Sequence, residues 1–495
     1  MTAVPEAATI PTRVQDVLNR IPTDLLIGGK LVPASDGGTL DVLDPATGQA
    51  LATVASGTVD DALACVTAAH RAAAGWAATA PRRRSEILHR TYELMVQQAD
   101  DLALLISAEN GKALPDARGE VLYSAEFFRW YAEEAVRIRG EIQTAPAGNN
   151  KIMVLRQPVG VAVLVTPWNF PAAMAARKIA PALAAGCTTI LKPAGETPLT
   201  ALAIAALMDE AGLPDGVVNV LPSRRSGDVV AAMLADPRVR KLSFTGSTEV
   251  GRVLLNLANE HIVNSSMELG GNAPFVVFDD ADLDAAIEGA MVAKMRNGGE
   301  ACTAANRFFV QDGIAQEFAR RLSEAMSGLT VGPGYVDGTT LGPLVNAKTR
   351  DKVADLVSSA VESGAKVQTG GVAPDGAGFF YPATVLTNVA PDAAILQTEI
   401  FGPVAPIVTF RTEDEAIDLA NDTEYGLVSY VYTADLARGL RVSEAIEAGM
   451  VGLNRGLVSD PAAPFGGVKE SGLGREGGVD GLLAFTESKY IAVAW

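Results

Sequence analysis

One cysteine in a glycine-containing polar segment is the first candidate for chemistry in this chain. Cys302 lies within RNGGEACTAANR (296–307), and the chain contains only three cysteines and three histidines. A free cysteine is most often a small buried hydrophobic residue, but the polar and small neighbours of Cys302 indicate a partly accessible loop. His70 and His89 belong to N-terminal helical stretches, and His261 follows another helix end. We therefore expect a carboxylate rather than an imidazole as the partner base of a nucleophilic thiol.

Two polar residues at strand ends are candidates to assist that thiol. Glu268 precedes two glycines at the end of an apolar run, and as a general base it could take a proton; the alternative is a solvated acid at a strand end. Asn169, between Trp168 and Phe170, could donate a hydrogen bond to an oxyanion. Its alternative is a turn-forming residue.

Apolar runs alternating with helix-like stretches must position these residues. The runs are VGVAVLV (159–165), TTILK (188–192), GVVNVLP (216–222), RKLSFTG (240–246) and SSMELGG (265–271). Strand and helix in alternation predict right-handed crossovers and a parallel sheet covered on both faces. We therefore predict a doubly wound, dinucleotide-binding α/β domain formed by residues 1–140 and 161–270.

A second alternating series begins at APFVVF (273–278) and predicts a catalytic α/β domain over residues 271–465. Its first helix, DLDAAIEGAMVAKMRN, has apolar residues on one face and ends at Gly298 and Gly299. Further strands are expected at FFVQ, AKVQTGG, PVAPIVTF, LVSYVYT and MVGLN.

Two segments outside both series predict a small β element for oligomerisation. Residues 141–160 resemble a hairpin that turns at Asn149 and Asn150, and residues 480–495 form a strand-like tail. Exposed strands of this kind need a partner, so we expect a homodimer or homotetramer.

The segments that follow the five predicted strands should share one rim, where open parallel sheets bind ligands. This rim includes Thr166 and the turn with Gly246, Ser247 and Gly251, which opens a helix whose free N–H groups suit a pyrophosphate. The turn departs from the usual G-x-G-x-x-G pattern, so alone it is weak evidence for a phosphate site.

Composition limits the partners and the location. The 495 residues predict two or more domains. The net charge of −18 and pI near 4.7 argue against nucleic acid and anionic membranes. No signal peptide or membrane-length apolar run is evident, and the cysteines form no paired motif. We expect a cytoplasmic protein with no metal site and a small-molecule partner.

Seven ordered motifs make the chain similar to the NAD(P)-dependent aldehyde dehydrogenase superfamily. They are TPWNFPAAM, LKPAGETP, FTGSTEVG, MELGGNAPFVVFDDADLD, NGGEACTAANR, EIFGPV and PFGGVKESGLGREGG. The resemblance runs from DPATG (44–48) to the C-terminal tail, and within the superfamily it is closest to succinate-semialdehyde dehydrogenases.

The resemblance implies a catalytic role for four residues. Cys302 would attack the aldehyde, and the Asn169 side-chain amide with the Cys302 backbone N–H would hold the oxyanion. Glu268 would activate the water that hydrolyses the thioester. Lys178 matches a lysine near the oxyanion and the nicotinamide.

The resemblance also implies a cofactor site. It assigns Lys192 to the adenosine ribose, the 246–251 turn to the pyrophosphate, Trp168 to the phosphate region, and Glu399 and Phe401 to the nicotinamide ribose and ring. Many NAD-preferring members have Glu where this chain has Gly195, so a ribose 2′-phosphate is not repelled there. Arg224 and Arg225 could pair with that phosphate, or they could be ordinary surface charge. NADP is therefore favoured over NAD.

Three residues coincide with those that bind the substrate carboxylate in succinate-semialdehyde dehydrogenases: Arg177, Arg296 and Ser459. Two guanidinium groups and a hydroxyl suit an ω-carboxy aldehyde, although Arg296 also lies at a helix C-terminus, where a cation is favourable for other reasons. The alternatives are glutarate semialdehyde, an uncharged or aromatic aldehyde, a CoA-dependent acylating relative, and a non-catalytic binding protein. Glu268 favours water over CoA, and the presence of both Cys302 and Glu268 argues against a non-catalytic role.

Overall fold

The computed structural model describes residues 10–494. The first nine residues of the predicted 1–140 segment and Trp495 of the predicted tail therefore lie outside the described residues.

Helices and strands alternate through most of the chain. The helices are α1 (Thr12–Leu18), α2 (Val59–Ala78), α3 (Pro81–Gln97), α4 (Ala99–Asn110), α5 (Leu114–Glu134), α6 (Pro171–Ala185), α7 (Pro198–Glu210), α8 (Ser226–Leu234), α9 (Thr248–Asn259), α10 (Leu283–Met295), α11 (Ala315–Ser327), α12 (Ala347–Glu362), α13 (Ala394–Gln397), α14 (Glu413–Asn421), α15 (Leu436–Ala445) and α16 (Gly478–Leu483). The strands are β1 (Leu25–Ile27), β2 (Lys30–Val32), β3 (Thr39–Leu43), β4 (Ala50–Ala55), β5 (Glu141–Thr144), β6 (Lys151–Pro158), β7 (Val161–Val165), β8 (Thr188–Lys192), β9 (Val218–Val220), β10 (Val239–Thr245), β11 (Asn264–Glu268), β12 (Ala273–Val277), β13 (Ala305–Gln311), β14 (Lys366–Thr369), β15 (Thr384–Thr387), β16 (Val404–Phe410), β17 (Tyr425–Gly426), β18 (Val428–Tyr432), β19 (Met450–Leu453), β20 (Val468–Lys469), β21 (Gly472–Leu473) and β22 (Thr486–Val493).

The first sheet has eight strands in the order β2-β1-β9-β8-β7-β10-β11-β21. Its five central strands are parallel, while β1 and β21 join the two sides antiparallel. These five strands are the ones that the apolar runs predicted, and α6 to α9 are the helices between them. The predicted doubly wound α/β fold is confirmed.

Side-chain alternation shows why both faces of this sheet are covered. Along β7, Val161, Val163 and Val165 belong to one buried cluster with residues of α2, α8 and α9. Ala162 and Leu164 belong to another, with residues of α3 to α7. Because successive side chains of a strand point to opposite faces, a strand buried on both sides is continuously apolar.

The second sheet has seven strands in the order β14-β15-β16-β13-β12-β18-β19 and is parallel except for β14. It contains all six strands predicted after residue 271, together with β15, which was not predicted. Its first helix, α10, begins at Asp282, whose side chain accepts the N–H groups of Asp284 and Ala285. It ends where Asn297, Gly298 and Gly299 take left-handed conformations, so the predicted glycine end is also correct.

A third, antiparallel sheet has the order β22-β6-β5. β5 and β6 form the hairpin predicted around Asn149 and Asn150, and β22 pairs along the whole of β6. The domain boundaries stay predictions. One feature that the sequence did not indicate is the return of β21 to the first sheet, where it pairs with β11 next to Glu268.

Candidate active site

A cleft of about 530 Å³ lies at the carboxyl ends of the first sheet's strands and reaches the second sheet's loops. Seven predicted site residues line it: Trp168, Asn169, Gly246, Ser247, Cys302, Glu399 and Phe401. These residues come from loops far apart in the sequence, so the fold assembles the cleft from both α/β sheets.

The Cys302 loop follows the left-handed end of α10. A turn closes it, with the Ala304 N–H donating to the Ala301 carbonyl over 2.9 Å, and the Tyr430 hydroxyl donates to the Thr303 carbonyl over 2.8 Å. Gly271 is required beside it, because a Cβ there would lie 2.6 Å from the Cys302 carbonyl oxygen. The thiol residue is partly exposed, as the sequence predicted.

The electrostatic surroundings of Cys302 are mixed. Burial raises the pKa of the Cys302 thiol to about 12, and the guanidinium groups of Arg177 and Arg296 act in the opposite direction. The carboxylates of Glu399 and Glu268 also raise this pKa. The thiolate therefore depends on cations or on a base that removes the proton when substrate binds.

Asn169 is buried beside this loop, and its Nδ2 donates to the Glu300 carbonyl over 3.2 Å. An amide nitrogen carries two hydrogens, so one remains to meet an oxyanion. Asn169 and Cys302 line the same cleft, as the proposed oxyanion site requires.

Glu268 ends β11 and is buried, and both of its carboxylate oxygens lack a hydrogen-bond partner among the described residues. Burial, and then the neighbouring carboxylate of Glu476, raises its pKa well above the ordinary value. Gly466, at φ +154°, leaves room for this side chain, since a Cβ there would lie 2.9 Å from Glu268 Oε1. A carboxyl group in this state can take a proton near neutral pH.

Glu476 is a buried residue that the sequence analysis did not single out. Its Oε2 lies 2.6 Å from Arg177 Nε, and its Oε1 pairs with the Lys178 ammonium. Burial opposes its ionisation, but Lys178 and Arg177 hold the pKa of Glu476 below the ordinary value. The available signal was its place in the motif PFGGVKESGLGREGG, which alone assigns it no partner.

Lys178 was predicted near the oxyanion and the nicotinamide, and it lies behind the residues that line the cleft. Its ammonium is fully buried and, besides pairing with Glu476, donates to the Ser243 hydroxyl over 3.1 Å. Lys178 is electrostatically close to Glu268, whose pKa it lowers. A direct role toward the nicotinamide stays a prediction.

The predicted carboxylate-binding residues converge on Tyr123. Burial raises the pKa of the Tyr123 hydroxyl, and the nearby Arg177, Arg296 and Ser459 side chains act in the opposite direction. Arg177 packs over the Phe465 ring at 4.0 Å, and Arg296 over the Phe170 ring at 5.2 Å. Because both arginines also act on Cys302, they place positive charge beside the thiol.

The cofactor side of the cleft is organised by the start of α9. Ser247 is the N-cap of this helix and accepts the Val250 N–H, while Gly251 packs on Leu269, from which a Cβ would be only 2.6 Å away. Helix N-termini attract phosphate. The N-termini of the neighbouring helices α6 and α7 already have carboxyl partners. Their first N–H groups donate to the buried side chains of Glu120 and Glu109, respectively.

The opposite wall carries the residues predicted to hold the nicotinamide nucleoside. Trp168 and Phe401 meet edge to face with ring centroids 5.3 Å apart. Glu399 Oε1 accepts the Gly271 N–H over 3.2 Å, and burial raises the pKa of Glu399 to about 7. Lys352, which the sequence analysis missed, donates to the Glu399 carbonyl over 2.7 Å.

The residues predicted to hold the adenosine lie around the end of β8. Lys192 ends β8, where burial lowers its pKa to about 8 and Glu196 acts in the opposite direction. Thr166 is buried and its N–H donates to the Lys192 carbonyl, while a Cβ added to Gly195 would lie 3.5 Å from Leu40. Glu196, also missed, lines the cleft.

Arg224 and Arg225 are exposed in the loop between β9 and α8, outside the walls of the cleft. The Arg224 and Arg225 N–H groups make local contacts, donating to the Ser56 and Ser223 hydroxyls. Their contact with a 2′-phosphate stays a prediction.

Within residues 10–494, no cluster of three or more His, Cys, Asp or Glu side chains is arranged to hold a metal ion. None of the helices in that range combines the length and hydropathy needed to cross a bilayer.

Comparison with known proteins identifies the family of this chain. The sequence profile of the aldehyde dehydrogenase family matches residues 31–491. The chain belongs to the aldehyde dehydrogenase family, which confirms the resemblance carried by the seven motifs.

Individual relatives show which enzymes of the family are similar to this chain. The chain is 56% identical to a succinate-semialdehyde dehydrogenase of Paenarthrobacter nicotinovorans, over 90% of this chain and 99% of the relative. It is 47% identical to the Escherichia coli (strain K12) succinate-semialdehyde dehydrogenase (NADP+) and to a Pseudomonas putida glutarate-semialdehyde dehydrogenase, each over 94% of this chain and 97% of the relative. The crystal structure of succinate-semialdehyde dehydrogenase from Burkholderia pseudomallei superimposes with a TM-score of 0.95 at 45% identity, covering 99% of this chain and 100% of that one.

Proposed function

We propose that this protein oxidises succinate semialdehyde, or a similar ω-carboxy aldehyde, to the carboxylic acid with NADP or NAD. The observation that carries the proposal is the placement of Arg296 over the Phe170 ring and of Arg177 over the Phe465 ring, where both guanidinium groups lower the pKa of the Cys302 thiol. Positive charge beside the nucleophile suits an aldehyde whose far end is a carboxylate.

The first chemical step belongs to Cys302. The thiol first loses its proton to solvent, and Arg177 and Arg296 stabilise the thiolate. The thiolate sulfur then attacks the aldehyde carbon while the carbonyl π electrons move to oxygen, which gives a thiohemiacetal oxyanion. The free hydrogen on Asn169 Nδ2 and the Cys302 N–H stabilise that oxygen. A nicotinamide held beside Glu399 and Phe401 would accept the hydride that leaves this carbon.

The second step belongs to Glu268. Its carboxylate takes a proton from water as the water oxygen attacks the Cys302 thioester, and the C–S bond breaks to release the acid and the thiolate. The raised pKa of Glu268 supports this role, because a base with an ordinary carboxyl pKa would be weaker near neutral pH. The site provides this base for water, which disfavours CoA as the acceptor.

The cofactor preference is a finer part of the proposal. Gly195 provides no carboxylate to repel a 2′-phosphate, and the exposed Arg224 and Arg225 are available to a phosphate at the carboxyl end of β9. NADP is therefore favoured over NAD, as the name of the Escherichia coli relative also suggests. Glutarate semialdehyde is the alternative substrate, supported by the Pseudomonas putida relative.

A homodimer or homotetramer is also part of the proposal. The β22-β6-β5 sheet exposes Ile142, Leu155, Tyr490 and Ile491, and apolar side chains on exposed strands favour association.

A cytoplasmic location is supported by the free cysteines Cys65, Cys187 and Cys302, because thiols stay reduced in that compartment.

A steady-state comparison of aldehydes tests the proposal. Succinate semialdehyde with NADP should produce reduced cofactor, and Cys302→Ala should abolish it. Arg296→Ala is a sharper test than Arg177→Ala. Arg177 is ion-paired with Glu476, whereas no acidic side chain among the described residues lies within ion-pair distance of Arg296. Arg296→Ala should raise KM for succinate semialdehyde by about 10- to 100-fold, the value of one charge-assisted bond, and leave KM for butanal unchanged.

Arg320→Ala, which removes an exposed ion-paired arginine on α11, is the matched control and should change neither KM. Turnover of uncharged aldehydes alone would disprove the substrate assignment, and equal KM changes for both aldehydes in Arg296→Ala would disprove the carboxylate contact.

A further inference from the structure

Asn297 joins the loop of Cys302 to the loop of Asn169. Its Nδ2 donates to the Asn169 carbonyl over 2.8 Å and to the Glu300 carbonyl over 2.9 Å. The Asn169 side chain donates to the same Glu300 carbonyl. One amide group of Asn297 therefore fixes two main-chain oxygens, one in each loop that supplies an oxyanion donor.

The backbone holds Asn297 in a single orientation. Its φ of 56° and ψ of 36° are left-handed, a conformation that asparagine tolerates better than most residues. Its N–H donates to Asp116 Oδ2 over 2.9 Å, and the residue is 2% exposed. A side chain with so little freedom transmits the position of one loop to the other.

A buried ion pair also holds the Asn169 carbonyl. Lys112 Nζ donates to the Asn169 carbonyl over 2.6 Å and lies 2.5 Å from Glu120 Oε2. Glu120 Oε1 accepts the Ala172 and Ala173 N–H groups at the start of α6. The Asn169 peptide is thus fixed to α5 and α6, and Asn297 is its link to the Cys302 loop.

We propose that Asn297 is a positioning residue that sets the distance between the two oxyanion donors, the Asn169 side-chain amide and the Cys302 N–H. The inference rests on the proposed function of those donors. Asn297 lies outside the walls of the cleft, so it acts through Asn169 and the Glu300 carbonyl. Oxyanion donors contribute only when they are held in place before the reaction.

The test is a double-mutant cycle on the first burst of cofactor reduction, measured at saturating aldehyde and cofactor. Asn297→Asp is nearly isosteric but replaces the donor with an acceptor that faces two carbonyls. We expect the burst rate to fall by about 100-fold, the effect of losing one oxyanion donor, with KM for aldehyde and cofactor changed less than about threefold. In the Asn169→Ala background the same substitution should cause no further loss.

Two further variants separate this role from folding. Asn297→Gly keeps the left-handed backbone and removes the amide, so it should lose burst rate to a similar extent even if Asn297→Asp folds poorly. Asn219→Asp is the matched control, because Asn219 Nδ2 also bridges two buried carbonyls, those of Thr189 and Gly216, away from Cys302. It should lower the unfolding temperature without slowing the burst.

An unchanged burst rate in both Asn297 variants, or an equal loss with and without Asn169, would overturn the inference. Failure of the substrate proposal is recognised separately, because the wild-type protein would then show no burst with ω-carboxy aldehydes and the cycle would be run with the aldehyde that it does oxidise.

Discussion

Glu268 and Glu476 are both buried beside the same cations, yet burial and neighbours shift their pKa values in opposite directions. Glu476 pairs directly with Arg177 and Lys178. Glu268 receives no hydrogen bond from the described residues, and its nearest large influence after burial is the negative charge of Glu476. The difference shows that direct ion pairing, rather than residue type or depth, decides which carboxylate stays ionised.

The two environments imply two roles. An ion-paired carboxylate compensates part of the charge of the two buried cations, and it is costly to remove. An unpaired carboxyl group with a raised pKa is ready to exchange a proton. We therefore assign Glu268 to catalysis and Glu476 to holding Arg177 and Lys178, and the following substitutions test that contrast.

The largest effect is expected from Glu268→Gln. Without the base, hydrolysis of the thioester should slow by about 100- to 10,000-fold, while the first burst of cofactor reduction is retained. The unfolding midpoint should stay close to that of the wild-type protein, because both oxygens are already unpartnered. Stopped-flow absorbance and urea unfolding measure the two results, and loss of the burst would contradict the assignment.

Glu476→Gln should mainly affect stability. Leaving Arg177 and Lys178 without their anion should lower the free energy of unfolding by about 3–5 kcal/mol, as measured by urea unfolding near pH 7. Because the ion pairs hold the pKa of Glu476 below its unfolded value, this contribution is present above the unfolded pKa and is lost as the pH falls. The stability difference between variant and wild type should therefore shrink in acid, and a constant difference would contradict the role.

The smallest effect is expected from Arg475→Gln. The Arg475 guanidinium lowers the pKa of Glu268, so its removal should raise that pKa further. Hydrolysis requires the ionised base, and its rate should rise with pH through this pKa. The rising limb of the kcat profile should move to higher pH, and movement to lower pH would show that another group controls it.

Much of the fold follows from local patterns. The apolar runs between residues 159 and 271 predicted the five parallel strands of the first sheet, because strands buried on both faces must be continuously apolar. The glycines after α10 predicted its end, since left-handed conformations cost least in glycine. The pairing of β21 with β11 at the edge of the sheet was not predicted, because β21 has only two residues and forms no recognisable strand pattern.

The candidate site was predictable where strand ends carry the reactive groups. Asn169, Glu268 and the Ser247 turn follow predicted strands, and parallel strands share one rim. Glu476 and Asn297 were missed because their importance lies in contacts: Glu476 reaches α6 from the C-terminal part of the chain, and Asn297 reaches the loop before α6. No pattern in their own segments indicates those partners.

The sequence by itself determined the alternation of strands and helices, and it predicted Cys302 as the thiol and a carboxylate as the base. Only the tertiary structure decided which buried carboxylate is paired and which is free. Hydrophobic periodicity depends on residues that are neighbours in the sequence. The charge state of a carboxyl group depends on burial and on charges that the fold brings close from distant parts of the chain.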